Sequence, residues 1–264
     1  MSKIQGGKAM LLEARDLSKS FGGVDALKGV SFSFAAREIG ALIGPNGAGK
    51  TTLFNLLTGV FAPTSGEIFF RQRSITKKSA VEISAMGVAR TFQNLQLFTN
   101  MTVLENVMVG CHSRTKTGLF GAALRFAASG EERLIRETSR QMLKKVGLEK
   151  YADLPATSLP FGQKRLLEIA RALAMKPEVI LLDEPAAGLN PTESRFLVEL
   201  ISRIREEGTS VVLVEHDMET VMELADKIVV LDFGSKIAEG TPQQITSNER
   251  VIEAYLGKEV TMSA

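Results

Sequence analysis

The chain has 264 residues, 44% apolar and 23% charged, a globular balance that excludes a disordered or fibrous chain and suits one large α/β domain with an insertion as well as two domains. Lysine and arginine number 32 against 30 aspartates and glutamates, a formal charge of +2, so a nucleic-acid footprint built on bulk charge is excluded and any polyanion must be bound locally. Cys111 is the only cysteine, which excludes an intramolecular disulfide and a multi-cysteine metal site and fits a reducing compartment.

The opening residues lack the apolar core of a signal peptide, and no apolar run approaches the ~20 residues that span a bilayer. Any service to a membrane is therefore expected from outside the lipid. "MLLEARDLSKSFGG", "VDALKGVSFSFAA" and "EIGALIG" read as short strands separated by glycine turns. "IGALIGPNGAGKTTLFNLLTG" then reads as strand, glycine loop and helix, with Leu53, Leu56 and Leu57 at helical spacing and Gly59 placed to end the helix. After Pro63, "SGEIFFRQRSI" gives another strand and its turn. From about residue 100 to 155 the strand signals fade. "TVLENVMVG" and "ERLIRETSRQMLKKVGL" carry apolar residues at helical intervals, Leu134, Ile135, Met142, Leu143 and Val146 among them, so a helical insertion is expected. The basic connection "HSRTKTGLFGAALRFAASG" is either loop or short helix.

"SLPFGQKRLLEIARAL" has the form of a loop running into an amphipathic helix. Strands and helices then alternate: "EVILLDEP" a buried strand, "NPTESRFLVELISRIREEG" a helix, "TSVVLVEHD" a strand, "METVMELADK" a helix, "IVVLDFG" and "KIAEG" strands. Asn190 can cap the first of these helices, Pro191 suits its first position, and Glu193 can reach back to the cap. Phe196, Leu197, Leu200, Ile201 and Ile204 form one apolar stripe along it. Such alternation predicts a largely parallel sheet covered by helices.

The chemistry concentrates in two places. "GPNGAGKT", residues 44–51, has the spacing of a phosphate-binding loop between a predicted strand and a predicted helix. The glycines Gly44, Gly47 and Gly49 let the loop, which also holds Pro45, Asn46 and Ala48, fold tightly enough for its backbone N–H groups to converge on an anion at the start of a helix, whose dipole adds positive charge. Lys50 is placed for the β- and γ-phosphates, Thr51 for Mg²⁺, and Thr52 follows on the helix. "ILLDEP" supplies the second half: Asp183 able to hold Mg²⁺ through water, then Glu184 as a carboxylate near an attacking water. Together they predict a site for a nucleoside triphosphate with Mg²⁺ as its counter-ion.

In the order "GPNGAGKT", "TFQN", "LPFGQ", "ILLDEP", "VEHD", the chain resembles the ATP-binding subunits of ABC transporters over nearly its whole length. The resemblance implies an α/β P-loop NTPase (RecA-like) core with an antiparallel β subdomain and an inserted α-helical subdomain. On that basis residues 1–264 form one ABC ATPase domain, with 1–99 and 156–264 as nucleotide-binding core and 100–155 as the insertion. It implies that Phe21 stacks on adenine, that Gln93 reaches Mg²⁺ or the lytic water, and that His216 contacts the γ-phosphate beside the catalytic base Glu184. Taken alone, Phe21 reads as core, Gln93 as a polar loop residue and His216 as a histidine at a strand end. The apolar residues Leu97, Phe98 and Met101 after Gln93 read either as core or as a surface for a membrane partner.

The family signature Leu-Ser-Gly-Gly-Gln appears here as Leu159, Pro160, Phe161, Gly162 and Gln163. In the family its serine binds a γ-phosphate held by the opposite subunit of a head-to-tail dimer. Proline lacks both hydroxyl and N–H, while the amides of Phe161, Gly162 and Gln163 remain at a helix start. An altered but working contact is expected, weaker by ~0.5–1.5 kcal/mol for one net hydrogen bond. Asn190 in "AAGLN" likewise stands where the family commonly has aspartate.

"KTGLF", "LPFGQ", "EPAAGLNPTES" and "VIEAYLG" resemble the ATPase of a branched-chain amino acid importer. That resemblance implies a second, same or related ATPase, two membrane permeases, an extracytoplasmic solute-binding protein, no nucleic acid, and a peripheral place on the cytoplasmic face of the membrane. A lipid or lipopolysaccharide exporter ATPase and a soluble ABC ATPase are the competing readings.

Overall fold

The computed structural model describes residues 10–93, 95–112 and 125–261. The "KTGLF" stretch and Asn94 of "TFQN" lie outside them. Strands β1 (Met10–Phe21) and β2 (Val24–Ala35) pair antiparallel and run to 12 residues each, longer than the short strands expected. A register shift between Ala14 and Leu17, with Asp16 at φ 46°, is the reason: a bulge absorbs the polar "RD" break and keeps Leu12, Ala14 and Leu17 buried. β3 (Ile39–Ile43) is buried at all five residues and feeds α1 (Lys50–Leu57). β4 (Ser65–Phe70) and β5 (Arg73–Ser74) extend the antiparallel sheet in the order β2-β1-β4-β5. Helix α2 (Ala80–Ala85) is closed by a capping box between Ser79 and Glu82, a spacing present in the sequence but not read there.

β6 (Val88–Arg90), α3 (Val103–His112), α4 (Arg125–Lys145), α5 (Phe161–Ala174) and β7 (Val179–Asp183) follow. The remainder is α6 (Pro191–Glu206), β8 (Ser210–Val214), α7 (Met218–Leu224), β9 (Lys227–Asp232), β10 (Ser235–Gly240), α8 (Pro242–Thr246) and α9 (Glu249–Thr261).

The chain forms two compact units, one of residues up to Met86 with those from Ile201 onward, the other Gly87–Leu200. In the first, β3 lies parallel to both β8 and β9, and β10 folds back antiparallel on β9. β3 and β8 are buried along their whole length, as parallel strands covered on both faces must be. In the second unit β6 and β7 pair in parallel, and α3, α4 and α5 pack against one another. Ile135, Leu143 and Val146 are the buried stripe of this packing. Leu134, apolar and next to Ile135 in sequence, is 64% exposed. It sits about 100° around the helix from Ile135, and α4 turns only one face inward.

The start of α6 is built as its sequence indicates. Asn190 Oδ1 accepts from the amides of Thr192 and Glu193, both at 3.0 Å, while Glu193 Oε2 accepts from the Asn190 amide at 3.0 Å. Asn190→Ala should cost about 1 kcal/mol. It should lower the melting midpoint by about 2–4 °C; circular dichroism melts showing no shift would mean that this cap carries no stability.

Candidate functional site

In the first unit, the phosphate-loop sequence leaves the end of β3 and returns into α1. The turn is possible only with glycine at its two ends. A side chain on Gly44 would lie 2.1 Å from the Leu231 carbonyl, and one on Gly49, at φ 102°, would lie 2.7 Å from that of Ala26. Pro45 and Ala48 are buried, Asn46 and Gly47 exposed. The Ala48 amide donates to the Pro45 carbonyl at 3.1 Å, and the Ala48 carbonyl accepts from Gly234 at 3.1 Å, fixing the loop to the β9–β10 turn. Lys50 is 6% exposed, and its Nζ donates to the carbonyls of Gly44 (2.6 Å) and Pro45 (3.0 Å). The ammonium thus folds back across the loop it follows, where it is satisfied without leaving the cradle. Thr51 is exposed and Thr52 half-buried.

Sequence reasoning missed what stands behind this loop. Tyr255 of α9 is half-buried against the backbone of Gly44. Burial pushes its hydroxyl up to about 12, with the Asp232 carboxylate raising it further and the hydrogen bond with Gly44 opposing. The only signal was the tyrosine in "VIEAYLG", read there as a family mark. Elsewhere in this unit, His216 lies exposed just past β8, its amide donating to Glu215 Oε2 at 3.2 Å. Phe21 is 43% exposed, its ring edge-on to Phe61 at 5.5 Å with Lys19 Nζ 4.9 Å above it. The core reading of Phe21 taken alone does not hold: β1 ends at this residue, where the ring meets Phe61 and Lys19 but stays half exposed, whereas Leu17 within the strand is fully buried.

In the second unit β7 is buried at every residue and delivers Asp183, 2% exposed, at its end. Such a carboxylate needs a partner, and Arg90 Nη2 on neighbouring β6 meets Asp183 Oδ2 at 2.8 Å. Glu184 follows at φ 48°, a left-handed conformation uncommon for a non-glycine residue, just before Pro185. Strain of that kind collects where a side chain must be aimed. Here it aims the carboxylate at Gln93, whose Nε2 donates to Glu184 Oε2 at 3.0 Å. The structure therefore brings Gln93, Asp183 and Glu184 into one neighbourhood. Past Gln93, Leu97 and Met101 are half-buried and Phe98 is 45% exposed under the Arg171 guanidinium, which places Phe98 at the surface rather than in the core.

The variant signature opens α5. Pro160 is its N-cap at φ −56°, ψ 159°, without a side-chain cap, and the first intrahelical bond is Lys164 N–H to the Pro160 carbonyl at 3.0 Å. The amides of Phe161, Gly162 and Gln163 precede that bond and make the first turn of the helix. Leu159 is 3% exposed and anchors the approach. Gly162 lies against the Glu193 carboxylate, which would have to move aside for a Cβ there. Phe161, 48% exposed, lies across Gly188, where an added Cβ would come within 2.9 Å of its ring. Gln163 turns its Nε2 to the Tyr151 hydroxyl at 3.4 Å.

These motifs correspond to a family model described as ABC transporter, which matches residues 27–187. The chain belongs to the ABC transporter family. It is an ATP-binding member of that family, and such subunits are ATPases coupled to transport. A second model, described as branched-chain amino acid ATP-binding cassette transporter, matches residues 235–261 of the ABC chain, from β10 to α9. The chain is 46% identical over 252 residues to the high-affinity branched-chain amino acid transport ATP-binding protein LivG of Salmonella typhimurium, covering 94% of this chain and 98% of that protein. Among solved structures it is similar to a nucleotide-free ATP-binding cassette from an ABC transporter, with TM-score 0.82, 32% identity and coverage of 93% and 98%. It is also similar to a dimeric, post-hydrolysis ATP-binding cassette bound to ADP and Pi, with TM-score 0.75, 27% identity and coverage of 88% and 99%. The expected ABC ATPase fold is borne out, and these relatives do not favour the exporter and soluble readings.

The residues named for Mg²⁺ are chemically suited to it: a threonine hydroxyl, a side-chain amide and a carboxylate are the hard oxygen donors this cation takes, with water filling the rest. The Arg90–Asp183 pair has its own consequence. Arg90→Met leaves the Asp183 carboxylate buried without its cation and should cost about 3–5 kcal/mol. Adding Asp183→Asn should recover most of that loss; urea midpoints that are equal for the single variant and the parent would show the pair to be dispensable.

Proposed function

We propose that this chain powers the import of branched-chain amino acids. It would act as one ATPase of a pair, with a same or related second copy, two membrane permeases and an extracytoplasmic solute-binding protein that selects the solute. The observation that carries this reading is the match to branched-chain transport ATPases over 94% of the chain, together with the branched-chain family model on its last described strand and helices. No described helix is long and apolar enough to cross a membrane. A peripheral place on the cytoplasmic face, held by permeases, is the corresponding proposal.

The residue roles follow from chemistry. Loop amides of residue 44 and residues 46–52 and Lys50 hold the phosphates of ATP, and Phe21, 43% exposed at the end of β1, takes the adenine. Thr51, Gln93 and Asp183 would hold Mg²⁺, which when bound neutralises charge developing on the phosphates. Glu184 accepts the proton of the attacking water, and His216 orients water and γ-phosphate. Gln93, bonded to Glu184 in this conformation, ties the base to the loop that leads toward Phe98. Leu159, Phe161, Gly162 and Gln163 present the helix start to the nucleotide of the opposite subunit. Dimer closure on ATP would then become a rigid-body movement passed through the helical insertion, residues 100–155, to the permeases.

Glu184→Gln should retain ATP binding while turnover falls by two or more orders of magnitude. Normal phosphate release from that variant in the assembled transporter would remove Glu184 from the mechanism. Lys50→Ala should lose both nucleotide binding and uptake of labelled leucine. Restoring a hydroxyl with Pro160→Ser should change ATPase activity by about two- to tenfold upward, the size of one net hydrogen bond; a large fall would show that the proline itself is required.

A further inference from the structure

Helix α5 contains a charged residue that neither the family motifs nor the roles above account for. Arg165 is 2% exposed. Its Nη1 donates to the Phe92 carbonyl at 2.9 Å and its Nη2 to the Gln93 carbonyl at 3.1 Å, so one guanidinium clasps two successive peptides of the loop carrying Gln93. Its Cζ lies 5.8 Å from the ring of Phe161, one turn earlier in the signature. Glu168, one turn later and 1% exposed, answers the charge at 3.5 Å and accepts the Gln96 amide at 2.7 Å. Burial raises the Glu168 carboxyl above its ordinary value, against the opposing pull of the Gln96 amide, Arg165 and Arg171.

For stability alone this is a poor fastening. The Arg165 Nε is buried with no hydrogen-bond partner among the described residues, and a buried ion pair is often no more stabilising than apolar side chains of similar volume. What the planar fork supplies is direction. It fixes the orientation of two carbonyls at once, which neither an apolar side chain nor a lysine can do.

We propose that Arg165 is a positioning residue for ATP turnover: it locks the backbone at Gln93 to the register of the signature helix, so that the Gln93–Glu184 contact and the placement of Phe161 are set together. The inference rests on the ATPase reading above. Through it, any displacement of α5 by nucleotide at the signature is delivered to the peptide bearing Gln93, and from there to the catalytic carboxylate.

The test is steady-state ATPase kinetics of the full chain in Arg165→Met, Arg165→Lys, and Arg165→Met combined with Glu168→Gln, which leaves no buried carboxylate unpaired. kcat should fall about ten- to hundredfold in both methionine variants, as expected for misplaced catalytic groups. KM for ATP should stay within about twofold, because the loop that binds the phosphates is untouched. Arg165→Lys should recover part of the loss, and amides 95–98 should exchange with deuterium faster in the methionine variants than in the parent. A double variant with the parent's kcat, a rise in KM with kcat intact, or a lysine variant equal to the parent in both rate and exchange would each overturn the proposal. Failure of the parent chain itself to hydrolyse ATP would instead overturn the ATPase reading, so the two failures are separable.

Discussion

A charge delivered to the end of a strand that is buried on both faces has to be answered by something built for it. β3 and β7 are both such strands, and each ends at the chemistry. Past β3, the Lys50 ammonium is met by two carbonyls of its own loop; at the end of β7, the Asp183 carboxylate is met by Arg90. The apolar run that makes each strand stable is also what strips water from the groups at its end, which strengthens every interaction those groups make. The stability of the strands and the reactivity of their ends therefore have one source.

The second unit adds a chain of contacts that carries position rather than charge. Glu184 is held in a left-handed conformation and bonded to Gln93, the Gln93 carbonyl is clasped by Arg165, and Arg165 sits one turn below Phe161. Only the Arg165 guanidinium at its centre is buried; the Gln93–Glu184 bond lies at the surface and the Phe161 ring is half exposed. The buried centre is the constrained part, since a buried polar group that loses its partner cannot fall back on water.

The departures at the signature look different in this light. Proline at residue 160 removes a hydroxyl but fixes the backbone torsion of the N-cap, and the helix starts there with its first amides in place. Phenylalanine at 161 puts an aromatic ring across Gly188, joining the signature to the segment after the acid pair. Asn190, standing where aspartate is common, makes both halves of a reciprocal cap. The altered residues have structural employment, and the first-turn amides of α5 belong to the backbone, which side-chain substitution leaves in place.

The sequence by itself determined the parts whose chemistry lies in consecutive residues: the glycine turn before Lys50, the buried strand ending in Asp183 and Glu184, and the cap at Asn190. In these, backbone geometry and near neighbours do the work, so spacing alone is legible. Helical spacing did not say which of Leu134 and Ile135 faces inward, nor did hydropathy say that Phe21 lies exposed at the end of β1, because neither tells where a packed face stops. Only the tertiary structure decided which of the chain's 32 basic residues answers which buried carboxylate. Arg90 meets Asp183 across 93 residues of sequence, and Arg165 reaches Phe92 and Gln93 across 73 and 72. Those pairings are set by the parallel register of β6 on β7 and the packing of α5, and no local pattern records them.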